Sequence, residues 1–291
     1  MSFSSDVKEE LARNISSARH CQIAELVSIL SFCGQIGRDE AGNYTIGFQT
    51  ENEAVVRKGF TLLKKTYNID TDVPLTEDVM QGLLEKIGNP DEPVNQLLIK
   101  STCCQRAFLR GAFLSVGSMS DPVKGYHLEF DCFDKEKAEQ LQRVIAGFGI
   151  ESKIILRKKY HVVYLKEGSG IVDLLNVCGA PVSLMNLENT RILKEMRNSV
   201  NRRVNCETAN ITKTVNAAAR QVEDIEYLRE HYGFGNLPEN LRQMAEVRLE
   251  HADAPLKELG GYFHPPIGKS GVNHRLRKLS ELAEKVRSGK P

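Results

Sequence analysis

Two stretches of this chain repeat one pattern, and that repeat limits the fold more than any other feature. The first, "LVSILSFCGQIGRDEAGNYTIGFQTENEAVVRKGFTLLKKTYNI", starts at Leu26, and the second, "LRGAFLSVGSMSDPVKGYHLEFDCFDKEKAEQLQRVIAGFGI", starts at Leu109. Each reads as an apolar helix ending at a glycine (Gly34, Gly117), then a strand, a turn, an alternating strand and an amphipathic helix. Tyr44, Ile46 and Phe48 correspond to Tyr126, Leu128 and Phe130, a period of two with one apolar face. Leu62 and Leu63 in the first amphipathic helix correspond to Val144 and Ile145 in the second. After Ile150, "KIILRKKYHVVYLKEG" reads as a hairpin turning at Lys158-Lys159, and "GIVDLLNVCGA" as a closing helix with Gly179 at its end. The first copy has only "DTDVPL" before its next helix, "TEDVMQGLLEKIG", so its second hairpin is expected to be short or missing.

A doubled unit built on glycine-ended helices resembles the single-chain LAGLIDADG proteins, in which the two helices pack together and the strands form saddles over DNA. The chemistry of that motif is an acid at each helix foot holding a divalent metal at a phosphate, because Mg²⁺ takes hard oxygen ligands. Aligned on the motif, Leu26–Gly34 places Cys33 at the acid position and Leu109–Gly117 places Val116 there. Asp39, Glu40 and Asp121 lie past the glycines, in strand or turn. The catalytic positions are therefore degenerate, and no enzymatic activity is expected. A relic metal-dependent nuclease using other acids is the alternative.

With 291 residues, 41% hydrophobic and 26% charged, the chain is long enough for two or three well-cored domains. Its apolar runs are too short for a membrane span, and "MSFSSDVKEELARN" has acids where a signal peptide has a basic region. A cytoplasmic location is expected. The seven cysteines include no C-x-x-C pair, which favours reduced structural thiols over a disulfide frame or a zinc site. No metal, cofactor or small-molecule substrate is expected. "IGKSG" mimics the end of a phosphate-binding loop, but Phe263 stands where such a loop needs glycine.

The charge is uneven. Residues 1–200 hold 24 Lys+Arg and 26 Asp+Glu, whereas residues 264–291 hold seven basic and two acidic residues. A basic end on a neutral body points to an anionic partner, nucleic acid first. In the hairpin Lys153, Arg157, Lys158, Lys159, His161 and Lys166 read instead as a lysine-protected sheet edge. From Ser183 the pattern is helical, with Ile211, Val215, Ala218, Val222 and Ile225 forming one apolar stripe. Within it Arg202, Arg203 and Asn205 of "NRRVNCETAN" either meet phosphates or tie the linker down by side-chain hydrogen bonds. Three helices follow: "PENLRQMAEVRLEHA", "APLKELGGYF" and, after the "HPPIGK" turn, "SGVNHRLRKLSELAEKV" with Ser270 as its expected N-cap.

The last helix carries the DNA-binding prediction. Val272, Leu276, Leu279, Ala283 and Val286 form its apolar stripe, while Asn273, His274, Arg277 and Lys278 project from the other face. Arg forks onto guanine and Asn onto adenine in the major groove. Lys269 and Ser270 sit where free backbone N–H groups favour a phosphate, and Arg275 completes the basic set. This is the arrangement of a helix-turn-helix reader.

The acid-free repeat, "NRRVNCETAN" and "PPIGKSGVNHRLRKL" together resemble the WhiA family of bacterial regulators over nearly the whole chain. The resemblance implies a transcription factor linked to sporulation, cell division or chromosome segregation, with a C-terminal domain similar to the promoter-reading domain of sigma factors. The expected architecture is α+β: a LAGLIDADG-like domain over 1–182 (copies about 21–100 and 104–182), a helical linker over 183–207 and an all-α helix-turn-helix domain over 208–291. The expected partner is double-stranded promoter DNA at the nucleoid. Another regulator or RNA polymerase is a candidate partner for the endonuclease-like domain, whose role is then interaction or regulation.

Overall fold

The computed structural model describes residues 2–70 and 75–289, and these divide into two compact units, Met1–Glu195 and Met196–Pro291. The first unit is α+β. Helix α1 (Phe3–Arg13), capped by the Ser2 hydroxyl, precedes the repeat and buries Val7 and Leu11. Copy one then runs α2 (Arg19–Cys33), β1 (Gly34–Arg38), β2 (Tyr44–Phe48), α3 (Glu53–Tyr67) and α4 (Glu77–Ile87). Copy two runs α5 (Thr102–Val116), β3 (Gly117–Met119), β4 (Leu128–Cys132), α6 (Lys135–Ala146), β5 (Lys153–Arg157), β6 (Tyr160–Leu165) and α7 (Gly168–Cys178).

The two copies differ as the sequence implies. Among the described residues the first sheet is the β1–β2 hairpin alone, paired Gly34 with Phe48 through Arg38 with Tyr44. The second has four strands in the order β3–β4–β6–β5. Part of the "DTDVPL" connection, residues 71–74, lies outside the described residues. Strand β5 is one of the two edges of this sheet, and Lys153, Arg157, Lys158 and Lys159 stand exposed along it and its turn. That charge discourages pairing with another chain.

Helices α2 and α5 pack against each other at the centre. Gly111 permits the close crossing: a Cβ there would lie 2.7 Å from the Glu25 carbonyl oxygen and 2.8 Å from Ser28 Cβ. The Ser28 hydroxyl donates to the Phe108 carbonyl at 2.7 Å across the same crossing. Gly34 and Gly117 allow each helix to turn directly into a strand, because a Cβ at Gly117 would lie 2.6 Å from the Phe113 carbonyl oxygen and one at Gly34 would meet that of Leu30. Their φ values are ordinary (−70° and −77°), so it is space and not backbone handedness that demands glycine.

A charged cluster is sealed into this interface. Glu25 Oε1 accepts from Lys58 Nζ at 2.5 Å and from Arg110 Nε at 3.0 Å. Lys58 also donates to the carbonyls of Leu11 and Asn14, both at 2.7 Å, and Arg110 Nη1 donates to that of Cys178 at 3.0 Å. Burial pushes the Lys58 ammonium below its ordinary pKa, and the Glu25 carboxylate opposes that shift. Removing the shared anion leaves two buried cations, so Glu25→Ala should cost about 3–5 kcal/mol. Arg57→Ala, which loses only an exposed pair with Glu9, should cost no more than about 1 kcal/mol. Urea midpoints of the two variants check the contrast.

Candidate nucleic-acid interface

Helix α8 (Pro181–His231) is one continuous helix of 51 residues. The second unit comprises its C-terminal part, α9 (Glu239–Glu250), α10 (Leu256–Leu259) with a 3-10 turn at Gly260–Tyr262, and α11 (Lys269–Arg287). Its core gathers Ile225 and Leu228 of α8, Leu241, Met244 and Ala245 of α9, Leu259, Phe263, and Val272, Leu276, Leu279 and Ala283 of α11, with Val286 packed alongside. The α11 stripe is thus buried as its spacing predicts. The α8 stripe is not buried throughout: Ala218 and Ile225 are covered, but Ile211 and Val215 are 64% and 56% exposed. Helical periodicity marks a face that is able to pack, and the helices of this unit cover only the later part of it.

Burial of one face of α11 fixes what the other presents. Asn273, His274, Arg277 and Lys278 are all exposed there, with Lys269 and Ser270 at the helix start. Arg277 Nε pairs with Glu281 Oε1 at 3.1 Å, a surface contact of little energetic weight. Arg275 is different. It is half-buried, and its guanidinium sits 5.2 Å from the centroid of the Phe263 ring. The expected N-cap is corrected: Gly268 caps the helix without a side-chain bond, and Ser270 is the second helical residue. The turn ends two residues earlier than the serine signal implies because Gly268 is extended and its carbonyl already accepts from Val272 N–H at 3.1 Å. The first-turn N–H groups of α11 consequently lack a side-chain cap.

The turn before α11 is held tightly. Ile267 N–H donates to the Gly260 carbonyl at 3.0 Å, and a Cβ on Gly260 would meet the Ile267 carbonyl oxygen. Buried Arg248 ties the α9–α10 connection by donating Nη1 to the Ala254 carbonyl at 2.6 Å, and burial lowers its guanidinium pKa. Arg287 Nη1 donates to Asp224 Oδ1 at 2.7 Å and lies over the Tyr227 ring, locking the end of α11 to α8.

The cleft beside the start of α11 holds residues the sequence did not single out. Lys213 of α8 and Lys257 of α10 line it together with Lys269, Asn273 and Arg248, and no carboxylate is among the lining residues. Lysines on separate helices carry no shared spacing signal, so only their convergence in space reveals them. Arg202, Arg203 and Asn205 lie exposed on α8, and Arg202 Nε donates to the Asn198 carbonyl one turn back at 3.3 Å.

At the feet of α2 and α5 the motif's acid positions are Cys33, buried, and Val116, packed against the core. Burial raises the Cys33 thiol pKa, with Ser115 and the Lys8 ammonium opposing. A neutral thiol beside a cation is a poor seat for Mg²⁺. The nearby acids serve their own turns: Asp39 Oδ1 accepts from the N–H groups of Ala41 and Asn43, and Asp121 Oδ1 from that of Val123. Among the described residues, the one group of three or more His, Cys, Asp or Glu ligands close enough to share a metal is His20, Cys21, Cys103 and Cys104, at the other ends of these helices.

Comparison with known proteins agrees with this division. Family models match in three pieces: the WhiA N-terminal LAGLIDADG-like domain at residues 19–78, the WhiA LAGLIDADG-like domain at 105–197 and the WhiA C-terminal HTH domain at 200–283. The chain is 49% identical to the "Probable cell division protein WhiA" of Lachnoclostridium phytofermentans, over 99% of this chain and 100% of that protein. The chain belongs to the WhiA family. The protein of the same name from Alkaliphilus oremlandii is 48% identical over 100% of this chain and 99% of its own length. Among solved structures, full-length DUF199/WhiA from Thermatoga maritima superposes with a TM-score of 0.59 at 28% identity, covering 98% of this chain and 99% of that one. The α+β reading, with LAGLIDADG-like and helix-turn-helix parts, therefore stands. Among the described residues no helix is long and apolar enough to cross a membrane.

The Gly260–Ile267 contact sets how α11 is presented. Gly260→Ala should destabilise the second unit by about 1–3 kcal/mol through overpacking. Hydrogen exchange of the α9 and α11 amides should accelerate while that of α2 and α5 is unchanged.

Proposed function

We propose that this WhiA-family chain is a sequence-specific DNA-binding transcriptional regulator acting in cell division, chromosome segregation or sporulation. Its C-terminal unit reads promoter DNA, and its endonuclease-like unit serves interaction or regulation without cleaving DNA. One observation carries the reading: Asn273, His274, Arg277 and Lys278 stand exposed on a helix whose opposite face is locked into a core. A helix held that way offers base-reading side chains in fixed register, which groove recognition requires.

In this reading Arg277 leaves Glu281 to fork onto a guanine edge, and Asn273 addresses an adenine. Lys269 and Ser270 hold a phosphate at the uncapped helix start, and Lys213 and Lys257 extend that anionic contact across the cleft. Arg275, stacked on Phe263, positions the first turns of α11. Arg202, Arg203 and Asn205 are further candidate phosphate contacts. The name of the relatives supports the link to cell division, and the protein would act in the cytoplasm at the nucleoid. A second regulator or RNA polymerase is the proposed partner of the N-terminal unit. The absence of acids from positions 33 and 116 supports binding without hydrolysis.

The test is a titration of the full chain against genomic DNA fragments in Mg²⁺ across a salt series. A small subset of fragments should be retained, uncut, with affinity falling steeply as salt rises. Retention of every fragment alike, or Mg²⁺-dependent cutting, would refute the proposal. Arg277→Ala should weaken binding to a retained fragment by about 1–3 kcal/mol and to random DNA far less. Lys269→Ala should weaken both equally and lower the salt slope by about 1.

A further inference from the structure

Helices α2 and α5 begin as well as end at matching places. His20 and Cys21 are the second and third residues of α2, and Cys103 and Cys104 are the second and third residues of α5. The offset is the one that relates Leu26–Gly34 to Leu109–Gly117, so the pseudo-symmetry that pairs the helices also pairs their first turns. One ligand atom from each of the four side chains lies within 4.8 Å of every other. His20 Nδ1 is 3.4 Å from Cys104 Sγ and 3.6 Å from Cys21 Sγ.

Those separations match a coordination sphere. A tetrahedral Zn²⁺ with bonds of about 2.3 Å to sulfur and 2.0–2.1 Å to nitrogen has edges of about 3.6 Å between N and S and about 3.8 Å between sulfurs. Two of the three N–S edges are already in place, and the longest separation has to contract by only about 1 Å. Cys21 and Cys104 are buried, while His20 and Cys103 reach the surface and give an ion its way in.

Burial pushes the Cys21 thiol up to about 11, while the Ser101 hydroxyl pulls the exposed Cys103 thiol down, so an arriving ion has to displace protons from the cluster. Neither Ala18 nor Ser101, the N-cap residues of the two helices, makes a side-chain cap, so two sets of first-turn N–H groups and two helix dipoles converge on the cluster. The Ser101 hydroxyl lies 3.3 Å from Cys103 Sγ and offers a hydrogen bond from outside the ligand set.

We propose that His20, Cys21, Cys103 and Cys104 form a structural Zn²⁺ site that clamps the N-terminal ends of α2 and α5. Four protein ligands of the Cys₃His type close the sphere and leave no open position, as in structural rather than catalytic zinc sites. Binding releases the three thiol protons and changes no oxidation state. The ion would lie at the opposite ends of the helices from Cys33 and Val116, so it fixes how the two copies meet and has no role at the motif's acid positions.

The experiment uses the full chain, reduced and freed of metal by chelation, then titrated with Co²⁺ as a spectroscopic probe. One equivalent should bind, giving a thiolate-to-cobalt charge-transfer band and the strong visible bands of a tetrahedral ion, and Zn²⁺ should displace it. Zn²⁺ should raise the Tm of the chelated protein by roughly 5–10 °C. Cys103→Ser and His20→Ala, at exposed positions that should fold normally, should each weaken Co²⁺ binding by at least about tenfold and abolish the Tm response. Cys206→Ser, on α8, should change neither. Absence of a thiolate–cobalt band, a band that survives Cys103→Ser, or one lost in Cys206→Ser would overturn the assignment. So would a chelated protein that ignores both ions and forms a disulfide within the cluster on oxidation.

Discussion

The first unit depends on one buried carboxylate. Glu25 receives Lys58 from α3 and Arg110 from α5, and those cations go on to the carbonyls of Leu11, Asn14 and Cys178. One negative charge therefore fixes α1, α2, α3, α5 and the end of α7 relative to one another. Desolvating these charges offsets most of their attraction, so such a cluster adds little net stability over a well-packed apolar one. Its value here is specificity. Apolar helices cross in many registers, but only one register brings Glu25 to both cations while Gly111 sits against the Glu25 carbonyl.

The same two helices set what their feet can hold. The glycine-to-strand exits at Gly34 and Gly117 are kept, because any side chain there collides with the helix it has just left. The residues just before them are not bound by that constraint. Cys33 and Val116 fill the acid positions with groups that pack, and the Lys8 ammonium acts on the Cys33 thiol from α1. Backbone geometry thus fixes the glycines, while the residues just before them are free to serve the core.

The second unit works by a division between the faces of one helix. Val272, Leu276, Leu279 and Ala283 anchor α11, and the polar positions between them are held outward as a consequence. Arg287 on Asp224, Arg248 on the Ala254 carbonyl and the Gly260–Ile267 turn remove the remaining freedom to roll or tilt. Core packing and the outward presentation of the polar positions are thus set by the same residue spacing.

Much of this was written in the sequence because it is local or periodic. The doubled helix–glycine–strand pattern, the hairpin around Lys158-Lys159 and the α11 stripe each depend on neighbours within a few residues. So does the absence of acids at positions 33 and 116. What the tertiary structure alone decided are meetings between distant segments. These are the pairing of Glu25 with Arg110, the convergence of Lys213 and Lys257 on Lys269, and the approach of His20 and Cys21 to Cys103 and Cys104. A rule that looks for C-x-x-C spacing passes over that last set, because its ligands come as two adjacent pairs, His20-Cys21 and Cys103-Cys104, far apart in the chain. The exposure of Ile211 and Val215 was hidden for a related reason: a stripe records that a face is able to pack, while its burial depends on which helices lie against it. Sequence period specifies the faces, and only the fold specifies which faces meet.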